Sequence, residues 1–261
     1  MGIDERGEAG MVSIVCDPAA PPCWSSGDHV YPELPARYYL ALERRLGVRL
    51  PAAQPFAPLL AARPDRFSAL VEQLRVDGWF SGLTIAAITA TSWPQRKDYS
   101  VDRFTEVAHL VAERQRVRVQ LLIVGGQHSD GMSVVSSSGS SRVSVLHLGG
   151  VPADDLVDLF PRCSLVIGND TGLTHLAALA RMPDGSGPPV VGLYARHSHS
   201  KWRTGWPHHH AVATGFSDRM HQGDLCPVRD VIGEAAGADL SVITPGLVAR
   251  SCADLLMEGS R

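Results

Sequence analysis

Residues 168–172, Gly-Asn-Asp-Thr-Gly, are the stretch of this sequence best suited to chemistry. They follow a short uncharged strand predicted over 165–167 and precede a predicted helix over 174–180. A helix entered through such a turn leaves its first N–H groups without intrahelical partners, and these groups together with the helix dipole favour an anion such as phosphate. Asp170 and His175 flank the turn, so a carboxylate and an imidazole would stand beside that anion. The stretch therefore predicts a site for a phosphorylated ligand.

A purely structural role for the same residues is the alternative interpretation. Asp170 and Thr171 would then only cap the helix, and Gly172 would only permit the turn. Short motifs carry a high risk of false positives, so the turn alone does not decide between the two roles. The downstream order favours the ligand site, because the helix is followed by a second buried strand over 190–194 and a polar loop.

The elements that must position this turn alternate regularly from about residue 83. This alternation is typical of a parallel sheet covered by helices on both faces, a Rossmann-like α/β fold. The predicted strands are 83–88, 117–124, 143–148, 165–167, 190–194 and 240–243, and the predicted helices are 65–76, 101–114, 153–160, 174–180 and 245–257.

Ligands of such sheets bind beyond the carboxyl ends of the strands. The loops 89–99, 125–130 and 168–174 are therefore expected to converge on one crevice. Lys97, in the first loop, offers an ammonium group to phosphate oxygens. Asp130, just past the second strand, offers a carboxylate to ribose hydroxyls. A solvated surface position is the alternative for each of these two residues.

Composition excludes several classes of protein. The 261 residues are 44% hydrophobic and 20% charged with a formal net charge of −3, which is ordinary for a globular protein and argues against a nucleic-acid partner. Five scattered cysteines, an odd number, predict a reduced and cytoplasmic protein. No apolar run approaches the ~20 residues that span a bilayer, and the charged first residues do not resemble a signal peptide.

The aromatic and imidazole side chains between residues 197 and 210 suggest two further hypotheses. A metal site would need ordered ligand spacing, which a Gly/Pro-bounded loop does not provide, so the sequence predicts surface histidines and no metal. Trp202 and Trp206 either stack on a sugar ring or pack the loop. The histidines concerned are His197, His199, His208, His209 and His210.

Three segments occur in an order that resembles a known family. Residues 89–104, 122–126 and 168–178, the last containing Asp-Thr-Gly-x-x-His-x-Ala, together resemble the carboxyl-terminal half of the lipopolysaccharide heptosyltransferases, glycosyltransferase family 9. The resemblance implies a GT-B fold, in which two Rossmann-like domains flank a cleft. It assigns residues 81–261 to the nucleotide-sugar-binding domain and residues 1–80 to a short, incomplete amino-terminal segment.

The resemblance also implies roles for individual residues around a nucleotide-activated sugar, typically ADP-heptose. Lys97 matches the lysine on the donor phosphates, and Asp170 matches the acid beside the donor sugar. Thr171 and Gly172 match the phosphate-binding turn, and His175 completes the same motif. Asp130 falls near the ribose-binding acid of the family, although its residue type and offset differ.

The function expected from this resemblance is metal-independent transfer of a glycosyl group to an acceptor hydroxyl, with no cofactor besides the donor. The acceptor expected from the resemblance is either a cell-envelope glycolipid or a natural product. Asp17 and Asp28 are the forward acids to test as general base, and another chain is the alternative source. With fewer than about eighty residues ahead of the donor domain, the chain is expected to form a homo- or hetero-oligomer and to transfer sugar weakly alone. A non-catalytic nucleotide-sugar-binding partner and a nucleotide-sugar epimerase are the competing functions.

Overall fold

The computed structural model of the protein describes residues 3–4, 12–13, 47, 59–63, 69–89, 91, 97–125, 131–135, 142–195, 199, 203–222 and 238–258. The chain divides into two compact units. One comprises Leu59–Leu193, His208–Val212 and Leu240–Arg261, and the other comprises Met1–Pro58, Tyr194–Pro207 and Ala213–Asp239. Within the described ranges, no helix is long and apolar enough to cross a bilayer.

A seven-stranded sheet is the main element of the fold. The described strands are β1 (Ile3–Asp4), β2 (Val12–Ser13), β3 (Leu60–Ala61), β4 (Leu83–Ile88), β5 (Val119–Val124), β6 (Gly131–Val135), β7 (Val143–Gly149), β8 (Leu165–Asn169), β9 (Ala180–Arg181), β10 (Val190–Tyr194) and β11 (His209–Ala213). The strand order in the main sheet is β11-β10-β8-β4-β5-β7-β6. The pairs from β10 through β8, β4 and β5 to β7 are parallel, and β6 runs antiparallel to β7 at the edge. Two short sheets pair β1 with β2 and β3 with β9.

Helices cover both faces of the sheet. Parallel strands need crossover connections, and helices in those crossovers bury both faces, which is why the central strands are almost continuously apolar. The helices are α1 (Ala69–Val76), α2 (Val101–Gln115), α3 (Ala153–Leu159), α4 (Gly172–Leu179), α5 (Gly215–Gln222) and α6 (Pro245–Glu258), with single 3₁₀ turns at Phe160–Arg162 and Leu240–Val242.

The core lies on both sides of β4, β5 and β8. On one face, buried side chains of α1, α3 and α4 pack against the even-numbered positions of these strands, such as Ala86 and Leu122. On the other, α2 packs against β5 and pairs with α6. The helix α2 begins at the N-cap Ser100, whose hydroxyl accepts a hydrogen bond from the Arg103 N–H, and ends at Arg116 in the left-handed conformation.

The predicted Rossmann-like parallel sheet is confirmed, and β4 and β10 have the predicted bounds. Two local predictions are wrong. Residues 240–242 form a 3₁₀ turn instead of a strand, because the guanidinium of Arg103 binds the carbonyls of Leu240 (3.1 Å), Ser241 (2.9 Å) and Ile243 (3.2 Å). His209 is buried in β11 instead of lying in a surface loop. The edge strand β6 was not predicted, since its residues follow no clear apolar alternation.

Candidate functional site

The candidate site lies at the carboxyl ends of three neighbouring parallel strands. β8 pairs with β4, and β4 pairs with β5, so the segments that follow these strands leave the sheet along the same edge. The first segment is tied to the second, because the N–H of Thr89 donates to Val124 O (3.1 Å) and its hydroxyl donates to Gly125 O (3.2 Å). The sheet topology therefore places the described starts of the three segments, at Thr89, Gly125 and Asp170, on the same side of the sheet.

The turn from β8 into α4 is closely packed at its start. A Cβ placed on Gly168 would lie 2.0 Å from Thr174 Oγ1 and 3.1 Å from Ile88 Cβ, so only glycine fits there. The buried hydroxyl of Thr174 donates to Asn169 O at 2.7 Å and fixes the helix against the strand end. The N–H groups of Thr174 and His175 both return to Thr171 O, at 3.0 and 3.3 Å. The N–H groups of Gly172 and Leu173, which precede them, have no intrahelical acceptor.

The local geometry of Thr171 and Gly172 bears on the purely structural interpretation of the turn. Thr171 is the N-cap residue, with φ −147° and ψ 158°, but its side chain makes no capping hydrogen bond. Gly172 does not have a positive φ, and a Cβ on it would meet no atom within 4 Å. Neither backbone strain nor packing therefore demands a glycine at this position. The open space at Gly172 leaves room for close approach of a ligand to the backbone.

Three polar side chains meet beside this helix end. Lys97 Nζ lies 3.8 Å from Asp170 Oδ2, and His175 Nε2 lies 3.7 Å from Asp170 Oδ1. The side chains of Lys97 and Asp170 are only 18% and 12% exposed, so their charges are screened less than those of a surface pair. Both contacts are longer than a hydrogen bond, so they are electrostatic contacts between partly buried groups.

His175 is supported from within the fold by a residue that sequence reasoning placed at the surface. The ring of His209 packs edge-on against His175, with ring centroids 5.7 Å apart. The Nδ1 atom of His175 is buried and has no hydrogen-bond partner among the residues that the structure describes. The apolar triplet that follows the histidine run, residues 211–213, was the available signal that this segment is a strand.

Arg181, which sequence reasoning missed, is a buried cation at the end of α4. It is 3% exposed, and its burial lowers the pKa of the guanidinium to about 10. Its Nε lies 3.1 Å from His208 Nε2, and its Nη1 donates to Pro188 O at 2.8 Å. His208 Nε2 also lies 2.7 Å from Ala178 O, so these contacts join the end of α4 to the segments that enter β10 and β11.

The remaining predicted residues divide into two groups. Asp17, Asp28, Asp130, His197 and Trp202 lie outside the described residues, so their predicted roles stay predictions. In the described part, His199 contacts Asp218 at 3.5 Å, whereas His208 and His209 have the partners given above. No cluster of three or more histidine, cysteine or acidic side chains that would suit a metal ion occurs within the described ranges.

Comparison with known proteins identifies the family of the chain. A model of glycosyltransferase family 9 (heptosyltransferase) matches residues 37–226, which include the whole turn, Lys97 and His175. The chain belongs to glycosyltransferase family 9. The resemblance inferred from the three segments is thereby confirmed. No curated protein matches the chain.

Solved structures of family members share the fold. The E. coli ADP-heptose lps heptosyltransferase II aligns with 81% of this chain at 18% identity and a TM-score of 0.55. A family 9 glycosyl transferase from Veillonella parvula DSM 2008 aligns with 85% at 22% identity and a TM-score of 0.60. At these identities the similarity establishes the fold alone. The alignments cover 57% and 59% of the two relatives, so the chain spans less than two-thirds of their length.

Proposed function

We propose that the chain binds a nucleoside-diphosphate sugar at the turn between β8 and α4 and serves in transfer of its glycosyl group to an acceptor hydroxyl. The observation that carries the proposal is the placement of Lys97 and Asp170 within 3.8 Å of each other beside a helix N-terminus. A cation and the N–H groups of a helix N-terminus suit a diphosphate, and a carboxylate suits sugar hydroxyls. Membership of glycosyltransferase family 9 supports the same assignment.

The chemistry that these groups support is displacement at the anomeric carbon. The bond from that carbon to the diphosphate oxygen breaks, a bond to the acceptor oxygen forms, and the acceptor proton passes to a base. Negative charge develops on the departing diphosphate, and the ammonium of Lys97 with the N–H groups of Gly172 and Leu173 would stabilise it. Electrostatic stabilisation of the transition state by preorganised groups of this kind is usually the largest single contribution to the rate enhancement. They supply positive charge without a divalent ion, so we propose metal-independent transfer.

The donor we propose is ADP-linked. The E. coli relative is described as an ADP-heptose heptosyltransferase, and the family is described as heptosyltransferase. The Asp170 carboxylate would accept hydrogen bonds from hydroxyls of the sugar nearest the diphosphate. The nucleotide base and the acceptor would be recognised elsewhere.

Thermal unfolding of the full chain with ADP, GDP or UDP, each with and without EDTA, tests the proposal. A ligand at about 100 times its dissociation constant stabilises the folded state by about 2.7 kcal/mol. We expect ADP to raise the melting temperature equally with and without EDTA, and adenosine, which lacks phosphate, to have little effect. Absence of any shift with all three diphosphates at millimolar concentration would refute the proposed site. A shift that EDTA abolishes would refute metal independence.

A further inference from the structure

Asn169 is a fully buried polar residue at the end of β8, immediately before Asp170. Its Nδ2 donates to Thr89 O at 2.8 Å, and its Oδ1 accepts from the N–H of Tyr99 at 2.9 Å. Thr89 begins the segment that carries Lys97, and Tyr99 ends it. One side-chain amide therefore binds both ends of this segment.

The two backbone partners determine which side chain can serve here. Thr89 C=O can only accept a hydrogen bond, and Tyr99 N–H can only donate one. An amide provides both functions in one plane, whereas a carboxylate lacks the donor and would bury an unpaired charge. Buried polar groups are costly unless they are paired, so both bonds are needed once the amide is inside.

The backbone of Asn169 is fixed on its other side as well. It pairs with Leu193 in the sheet, and its carbonyl accepts the hydroxyl of Thr174, which holds α4. The residue thus connects the helix N-terminus, the strand that delivers Asp170 and the segment that delivers Lys97. A second bond inside the segment, from Thr91 Oγ1 to Asp98 Oδ1, ties its flanks directly to each other.

We propose that Asn169 is a positioning residue for donor binding, one that holds Lys97 opposite Asp170 by clamping both ends of residues 89–99. This inference rests on the proposed function, since it concerns the same diphosphate site. Without the clamp, the cost of ordering the segment would be met at the moment of binding, and affinity would fall. Asn169 would act only through Lys97 and would not touch the ligand.

A double-mutant cycle on the full chain tests this role with ADP as the titrated ligand. We expect Asn169→Ala to weaken ADP binding by about 10- to 100-fold, the range of a lost charge-assisted bond. We expect Lys97→Ala to have a similar effect, and the double variant to bind no more weakly than the weaker single variant. Two residues acting through one interaction are non-additive in this way.

Thr84→Val is the matched control, because Thr84 is 1% exposed, lies near the amino-terminal end of β4 away from the candidate site, and its hydroxyl donates to Trp79 O at 2.7 Å. It should lower the melting temperature without changing ADP affinity. An Asn169→Ala variant that stays within about twofold of wild-type affinity, or effects that add with Lys97→Ala, would overturn the inference. If wild type binds no nucleoside diphosphate, the proposed function fails first and the inference fails with it.

Hydrogen exchange of the wild-type chain provides a readout that needs no variant to fold. The Tyr99 amide should exchange as slowly as the amides of β4 and β8, because its acceptor is a buried side chain. Rapid exchange at Tyr99 alongside slow exchange in both strands would show that the clamp is open in solution and would overturn the inference.

Discussion

At the scale of single residues, glycine occupies the two ends of the turn for different physical reasons. Gly168 has no room for a Cβ, which would lie 2.0 Å from Thr174 Oγ1, so its role is packing. Gly172 has open space around it and no positive φ. A residue that folding does not require, located where a ligand is expected, is a good test of the ligand site.

We therefore expect Gly172→Ala to separate stability from binding. In the first turn of α4 an alanine should stabilise the fold by up to ~1 kcal/mol, while its methyl group would obstruct the approach of a diphosphate. ADP affinity and urea unfolding are the measurements. Gly246→Ala is the matched control, because Gly246 is also an open glycine in the first turn of a helix, α6. Equal ADP affinity in both variants would contradict the ligand role of Gly172.

Asp170→Asn should change the affinity for the nucleotide sugar and the affinity for its product, ADP, in different ways. The carboxylate lies 3.8 Å from Lys97 Nζ, so it both competes for the cation and repels a diphosphate. We expect the variant to bind ADP at least as tightly as wild type and the nucleotide sugar about 10-fold more weakly, the scale of one lost hydrogen bond to a charged group. Calorimetric titration of both ligands measures this. Asp184→Asn, an exposed carboxylate whose partner is the Ser186 N–H, is the control. Parallel losses for both ligands would show that Asp170 acts only on the fold.

Tyr99→Phe should not destabilise the protein at neutral pH. At high pH the variant should avoid the loss of stability that ionisation of Tyr99 causes in the wild-type protein. The Tyr99 ring is 1% exposed, and its hydroxyl has no partner among the residues described. Burial raises its pKa from 10.0 to about 12. Below pH 10 the phenol is neutral in both states and stability is retained. As the pH rises from 10 to 12 the unfolded chain ionises first, and stability falls by about 1.4 kcal/mol per pH unit.

Urea unfolding of wild type and Tyr99→Phe at pH 7 and pH 11 gives the comparison. The variant keeps the ring contacts with Phe104 and Arg103, so the two proteins differ only in the hydroxyl. We expect the variant to equal or exceed wild type at pH 7 and to gain a further advantage at pH 11. A variant less stable at pH 7 by more than ~1 kcal/mol would mean that the hydroxyl is hydrogen-bonded.

At the scale of secondary-structure elements, Arg103 attaches the 3₁₀ turn before α6 to α2. Its guanidinium binds three carbonyls of residues 240–243 and stacks 5.1 Å from the centre of the Tyr99 ring. This fork cannot be replaced by the single ammonium of a lysine.

We expect Arg103→Met to lower the free energy of unfolding by roughly 1–3 kcal/mol, because three carbonyls, two of them in partly buried bonds, lose their donor. Arg103→Lys should recover only part of the loss. Arg114→Met serves as the control, since Arg114 lies on the exposed face of the same helix and should change stability by less than about 0.5 kcal/mol. Equal unfolding free energies for Arg103→Met and Arg114→Met would show that the hydrogen bonds of Arg103 contribute nothing to stability.

At the scale of the whole molecule, donor binding and sugar transfer need separate tests, because the chain spans 57% and 59% of the two solved relatives. We expect the chain to form an oligomer and to transfer sugar weakly by itself. Light scattering and turnover of ADP-heptose should be measured on one sample. A monomer that transfers sugar at ordinary enzyme rates, ~1–10³ s⁻¹, would contradict both parts of the prediction.

The sequence by itself determined the sheet and the turn, because both depend on local signals. Uncharged β-branched runs specify buried strands wherever they lie, and β4 and β10 were therefore bounded correctly from their residues. The Asp-Thr-Gly-x-x-His-x-Ala block carried the resemblance to glycosyltransferase family 9, and the family match confirmed that resemblance. Lys97 was selected because it lies in the loop that follows a predicted strand.

Only the tertiary structure decided which residues support that turn, because their contacts join segments far apart in the chain. Asn169 contacts Thr89 and Tyr99 across about eighty and seventy positions, and Arg103 reaches residues some 140 positions away. Neither interaction has a periodicity or a spacing that a sequence can display. His209 shows the same limit. Its polar neighbours in the sequence predicted a surface position, but the residue is 1% exposed in β11, and its ring packs against His175. Burial of polar side chains depends on partners, and partners are set by the fold.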